Sequence, residues 1–187
     1  MPILERECDA FPEDLLSWEH LGTDLEERWW AVYTRSRQEK ELMRALRIMQ
    51  IPFFCPIIPH RYRSPAGRIR TSYLPLFTNY VFMYADGAQR YEALKSNCIS
   101  STIEVKDGPE LTYDLRQIQR LIRAGAPLTL EDKLQPGSRV RIKSGALSGL
   151  VGVITKRQGQ DHLFVAVNFL QQGATVRLED FQIEPID

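Results

Sequence analysis

Residues Tyr73–Ala85 read YLPLFTNYVFMYA, and the tail of this stretch decides the fold. As an extended strand it places Tyr80, Phe82 and Tyr84 on one face and Val81 and Met83 on the other. One apolar face is enough to build a core. Three aromatics on the second face therefore point to a role beyond folding.

Working outward, WWAVYTR (29–35) sets Trp29, Ala31 and Tyr33 against Trp30 and Val32, the alternation of another strand. SRQEKELMRALRIMQ then predicts a helix. Ser36 with Glu39 three residues on reads as a capping box, Leu42, Ala45, Leu46 and Met49 recur at helical spacing, and Pro52 stops it. FFCPIIPHRYRS, a Pro65–Gly67 turn and RIRTSYLPLF predict a long hairpin with an arginine-rich end. QRYEALKS predicts a short helix and ISSTIEVK a strand. TYDLRQIQRLIRA predicts a second clear helix, closed by Gly125 and Pro127. The order β-α-β-β-β-α-β-α over residues 28–125 implies an α+β fold, with helices packed on one face of an antiparallel sheet. Residues 126–136, APLTLEDKLQP, have no strong period and read as a domain linker. Beyond them SRVRIKS, GLVGVITKR, LFVAVNFL, ATVRLED and FQIEPI predict a small five-stranded barrel over 137–187. Their β-branched content favours strands over helix.

The chain has 187 residues, 43% apolar and 26% charged, which suits one large or two small globular domains. Its net charge of zero hides a pattern. Residues 1–27 carry nine acids and one base, whereas residues 29–125 carry fifteen bases and eight acids. The acidic leader, PEDLLSWEHLGTDLEE at its heart, reads either as a short amphipathic helix or as a solvated, partly disordered arm. Its charge also suggests that it folds back over the basic face or the aromatics of the middle domain. The start, MPILERECDAFPEDLL, lacks the basic and apolar regions of a secretory signal. Cys8, Cys55 and Cys98 are odd in number and widely spaced, so they read as reduced thiols of a cytoplasmic protein. No Walker loop, HExxH or G-x-S-x-G occurs, and His20, His60 and His162 lack metal-ligand spacing. The expectation is a non-enzyme with no cofactor and no metal.

Within VRIKSGALSGLVGVITKR, Gly145, Gly149 and Gly152 lie where a tight barrel corner needs a positive φ or close backbone approach. Between its two strands this segment resembles the KOW motif of SH3-like barrels. WWAVYTR leading into a helix, and PLFTNYVFM, resemble the N-terminal (NGN, ferredoxin-like) domain of NusG-type transcription elongation factors. PLF-x-NY-x-F is most similar to the specialised RfaH-like paralogues. The resemblance covers residues 29–187 and leaves out the acidic extension, 1–27.

That resemblance implies a monomeric factor that binds RNA polymerase, suppresses pausing and termination, and recruits a partner through its KOW domain. The matching polymerase-binding positions are Tyr33, Phe77, Tyr80 and Phe82, with Tyr84 extending the face; the clamp helices of the largest subunit would lodge there. Clustered rings suit this purpose because they bring much contact area with little rotamer entropy to lose. Arg35, Arg37, Arg61, Arg63, Arg68 and Arg70 are the candidate contacts to upstream or non-template DNA. Glu41 and Ala45 stand where RfaH-like proteins carry basic or histidine residues, so recognition of the same DNA element is not carried over. A small-subunit ribosomal protein and termination factor Rho are the implied KOW partners, and no membrane is involved. A base-stacking role for the Tyr80 sheet is disfavoured, since Leu76–Asn79 offer neither the basic residue nor the glycine such sheets use. The rival reading is a KOW-containing RNA-binding or ribosome-associated module.

Overall fold

The computed structural model describes residues 6–131, 133, 136–178 and 183–186. The chain divides into two compact units, Met1–Gly108 and Pro109–Asp187.

The first unit is built on an antiparallel sheet ordered β1-β3-β6-β2-β7. Its strands are β1 (Ala10–Phe11), β2 (Arg28–Thr34), β3 (Phe53–Phe54), β6 (Tyr80–Ala85) and β7 (Ile99–Glu104). β4 (Ile57–Arg63) and β5 (Ile69–Pro75) form a separate two-stranded ribbon between β3 and β6. Register fixes the faces. Trp29 lies opposite Tyr84, Ala31 opposite Phe82 and Tyr33 opposite Tyr80, so these six share one side of the sheet. The other side carries Val32, Val81, Met83 and Ala85. These pack with Leu42, Met43 and Leu46 of α1 (Glu39–Ile48) and Ala93 of α2 (Gly87–Leu94) into one buried cluster.

Helix α1 starts two residues later than its sequence suggests, and Ser36 does not cap it. Arg37 takes a positive φ of 61°, which breaks the helical phase, and Gln38 stands at the N-cap without a side-chain bond. Glu39 turns into the fold instead, where its carboxylate accepts the Asn79 N–H at 2.7 Å. The capping box belongs to α2. There Asp86 accepts from the Gln89 N–H at 2.7 Å, and Gln89 accepts from the Asp86 N–H at 3.0 Å.

The acidic leader is neither a free arm nor an amphipathic α-helix. Ala10 and Phe11 pair with Phe54 and Phe53 at the sheet edge, and the Cys55 N–H donates to Asp9 O at 2.7 Å. A single 3-10 turn, Leu15–Ser17, follows. Leu15, Leu16 and Leu21 are buried. Apolar burial, rather than helical periodicity, organises this segment. Its charge is used as well: Glu7 pairs with Arg44 at 2.5 Å, and Arg47 donates to Cys8 O at 3.2 Å. Those contacts sit on the basic face of α1. At the leader's far end the Gly22 N–H reaches the Tyr84 hydroxyl at 3.4 Å.

The second unit contains nearly all of α3 (Gly108–Arg123) and an antiparallel sheet ordered β13-β9-β10-β11-β12-β8. The five runs read as strands each supply one: β9 (Ser138–Ile142), β10 (Val151–Arg157), β11 (Gln160–Val167), β12 (Gln172–Arg177) and β13 (Ile183–Pro185). A sixth, β8 (Leu128–Glu131), comes from the stretch read as linker, where Leu128–Glu131 pair with Gly173–Val176 of β12. LTLE is too short for its alternation to show in sequence. Gly145 and Gly149 take φ values of 82° and 81° in the β9–β10 turn. At Gly152 a Cβ would run into the Phe164 carbonyl and the Leu163 side chain. Helix α3 belongs to this unit: Asp114 accepts from the Asn168 backbone N–H at 2.8 Å, and Arg120 donates to Ser148 O and Gly149 O.

The leader's burial generates a prediction. Leu15→Ala, at a side chain with 0% exposure, should cost about 2–4 kcal/mol and lower the urea midpoint without changing the m-value. An unshifted midpoint would return the leader to the status of a solvated arm.

Candidate functional site: an aromatic sheet face and an arginine ribbon

The β2–β6 pairing assembles the aromatic face in two tiers. Tyr33 and Tyr80 form the upper tier, edge to face with ring centroids 5.3 Å apart and planes at 63°. Tyr33 is 38% exposed and Tyr80 is half-buried. Farther along the same side of the sheet the rings are closed off from solvent. Phe77 and Phe82 meet at 6.3 Å and 86°, Trp29 and Tyr84 at 5.3 Å and 63°, and all four are fully buried. Of the five rings expected at the polymerase-binding face, two reach solvent, whereas Phe77, Phe82 and Tyr84 are fully buried and belong to the core. At Tyr84 the leader contributes, since its Gly22 N–H meets the hydroxyl, and burial pushes that phenol's pKa up.

Sequence reasoning missed one member of the face. Ile103 on β7 lies opposite Ala31, and Ser101 opposite Tyr33, so both share the side of Tyr33 and Tyr80. Ile103 is 46% exposed. The alternation of ISSTIE held the signal, but a register shift between Tyr33 and Thr34 hides which β7 residues meet the rings.

The upper tier is held by a buried clip. Asn79 adopts a left-handed φ of 64° and ends the Phe77–Tyr80 turn. Its N–H goes to the Glu39 carboxylate, while its carbonyl accepts the Thr34 N–H at 2.8 Å. Helix α1, β2 and the start of β6 therefore converge on one residue, next to both Tyr33 and Tyr80. Glu39 itself is only 6% exposed, and the bond to a backbone N–H is what satisfies its buried carboxylate.

The six candidate nucleic-acid arginines do not make one patch. Arg35 and Arg37 are exposed in the turn ahead of α1. On the ribbon, Arg61 lies opposite Thr71 and Arg63 opposite Ile69 on one face. Arg70 lies opposite Tyr62 on the other face, and Arg68 sits in the turn. Strand alternation forces this split, because 61 and 63 share parity while 70 pairs with 62. Arg44 and Arg47 of α1 are engaged by the leader.

Among the described residues no cluster of three His, Cys, Asp or Glu could hold a metal ion. Cys55 is fully buried, and desolvation pushes its thiol strongly up, away from a reactive thiolate. No helix is long and apolar enough to cross a membrane among the described residues. The arrangement offers docking chemistry: two accessible rings beside a buried aromatic group, and a separate ribbon with cations at its outer end.

Residues 27–132 match the NusG family model, described as transcription termination factor nusG. No curated protein matches the chain.

The clip makes a prediction. Glu39→Ala strands the Asn79 N–H and should cost about 1–3 kcal/mol in chemical denaturation. Glu39→Gln keeps an acceptor of the same shape and should lose less than half of that. Equal losses would mean that the carboxylate does not hold the turn.

Proposed function

The chain belongs to the NusG family of transcription factors, whose members bind RNA polymerase, and from this we propose how it engages that enzyme. The Tyr33–Tyr80 pair, with Ile103 beside it, receives the tip of the clamp-helix coil of the largest subunit. The supporting observation is the pair of accessible rings, Tyr33 and Tyr80, next to the exposed Ile103 and beside the buried rings of the same sheet face. Such a face loses little side-chain entropy on docking and presents aromatic edges to a narrow apolar tip. Binding that favours the closed-clamp state shifts the pause equilibrium by its affinity difference, which makes the protein an elongation and antitermination factor of RfaH-like type. The residue 137–187 segment is the KOW domain, and it recruits a second partner, a small-subunit ribosomal protein or Rho. Arg35 and Arg37, with the ribbon arginines, face upstream or non-template DNA.

The ribbon arginines, which form no ion pair among the described residues, favour one competing reading, a KOW-containing RNA-binding or ribosome-associated module. A pull-down separates the two. Retention of the largest polymerase subunit supports the elongation factor, and RNase-sensitive ribosome association supports the rival.

Tyr33→Ala and Tyr80→Ala should each weaken polymerase binding by about 2 kcal/mol, roughly thirtyfold, with the fold intact. Phe82→Ala, at a fully buried ring, should instead destabilise the protein by about 3–5 kcal/mol. Wild-type polymerase affinity in both tyrosine variants would remove this face from the mechanism.

A further inference from the structure

The β4–β5 ribbon has two chemically different faces, and only one of them is explained by phosphate contacts. Arg61 and Arg63 stand on the first face. The second carries His60, Tyr62, Arg70, Ser72 and Leu74. On it the His60 and Tyr62 rings stack with centroids 6.2 Å apart and planes at 24°. Tyr62 is 44% exposed and Leu74 45% exposed, in a ribbon whose outer half buries nothing.

Neither ring is used by the core. A two-stranded hairpin gains little stability from exposed aromatics, so their presence there asks for a ligand. The charge around them says what kind. Between Glu41 and Asp86 the sequence contains no aspartate or glutamate. None of Arg61, Arg63, Arg68 or Arg70 forms an ion pair among the described residues. A surface that only needed solubility would mix signs. This one gathers its cations at the outer end of the ribbon, in Arg61–Arg63 and Arg68–Arg70, within about 7 Å of strand length.

We propose that the His60–Tyr62 face of the ribbon is a stacking platform for unpaired bases of single-stranded nucleic acid. Tyr62 supplies the exposed ring and His60 backs it. Arg70, directly across from Tyr62 on the same face, holds the adjoining phosphate. Rings and cations together suit a single strand, in which each base offers a π-face and each nucleotide a charge. A duplex is the weaker candidate, although a two-stranded ribbon fits a major groove. Its stacked bases would leave the Tyr62 ring unused. The inference rests on the reading that this chain works at a polymerase, where unpaired strands are at hand. It assigns a ligand to a surface separate from the Tyr33–Tyr80 face.

The test titrates the full-length protein against a short labelled oligo-thymidine strand and a duplex of equal length at low salt. Tyr62→Ala should weaken single-strand binding about tenfold, leaving the slope of log K against log salt unchanged. Tyr62→Leu, which keeps the apolar bulk without the π-face, should lose as much, and Tyr62→Trp should retain wild-type affinity. Arg70→Ala should weaken binding to the single strand and to the duplex alike, and flatten the single-strand slope by about 0.7. No single-strand binding by the wild type, an unchanged affinity in Tyr62→Ala, or an equal loss on the duplex would each overturn the proposal. Polymerase retention is measured on the same preparations. Wild-type protein that is not retained refutes the polymerase reading while the oligonucleotide result stands by itself. Retention with a flat Tyr62 series refutes this inference alone.

Discussion

The register between β2 and β6 is the constraint on which the first unit depends. Placing Trp29, Ala31 and Tyr33 opposite Tyr84, Phe82 and Tyr80 commits the rings to one side and Val32, Val81 and Met83 to the other. A slip of one residue would send every ring into the α1 interface and every small aliphatic to the outside. Glu39 and Asn79 guard that register where β6 begins. Asn79 bonds both to the Glu39 carboxylate and to the Thr34 N–H, which ties helix, strand and turn together beside the two accessible tyrosines. Fold and site are thus fixed by the same pairing.

The acidic leader shows how a segment can be electrostatically conspicuous and yet organised by apolar contact. Its carboxylates meet the arginines of α1, but surface ion pairs such as Glu7–Arg44 contribute little by themselves. Leu15, Leu16 and Leu21 contribute more, because they are withdrawn from water almost completely. Pairing of Ala10 and Phe11 with β3 also covers what would otherwise be a bare sheet edge. With Arg44 and Arg47 engaged, the ribbon arginines and Arg35 and Arg37 are among the cations that no carboxylate pairs in the described residues. The leader therefore helps to decide where a polyanion can approach.

Much of this was legible in the residues. WWAVYT and YVFMYA alternate so strongly that both strands and their shared aromatic face follow from side-chain parity, and ATVR and LFVAV declare their strands by β-branching. What stayed hidden depends on long-range partners. Nothing local says that Ala10–Phe11 will find Phe53–Phe54, or that LTLE will pair with β12. Ser36 and Glu39 match a capping box, but tertiary demand at Asn79 outweighed the local pattern and moved the helix start. The depth of the rings was equally invisible, because alternation gives the side of a sheet and never what lies above it. For the same reason the ribbon arginines looked like one cluster until register divided them between two faces.

The central claim is that the Tyr33–Tyr80 tier is where polymerase docks. A benzophenone amino acid in place of Tyr80, irradiated with core RNA polymerase and mapped by mass spectrometry, reads that contact directly. The account predicts an adduct confined to the clamp-helix tip of the largest subunit. An adduct mapping elsewhere, or none while polymerase still retains the protein, would contradict it.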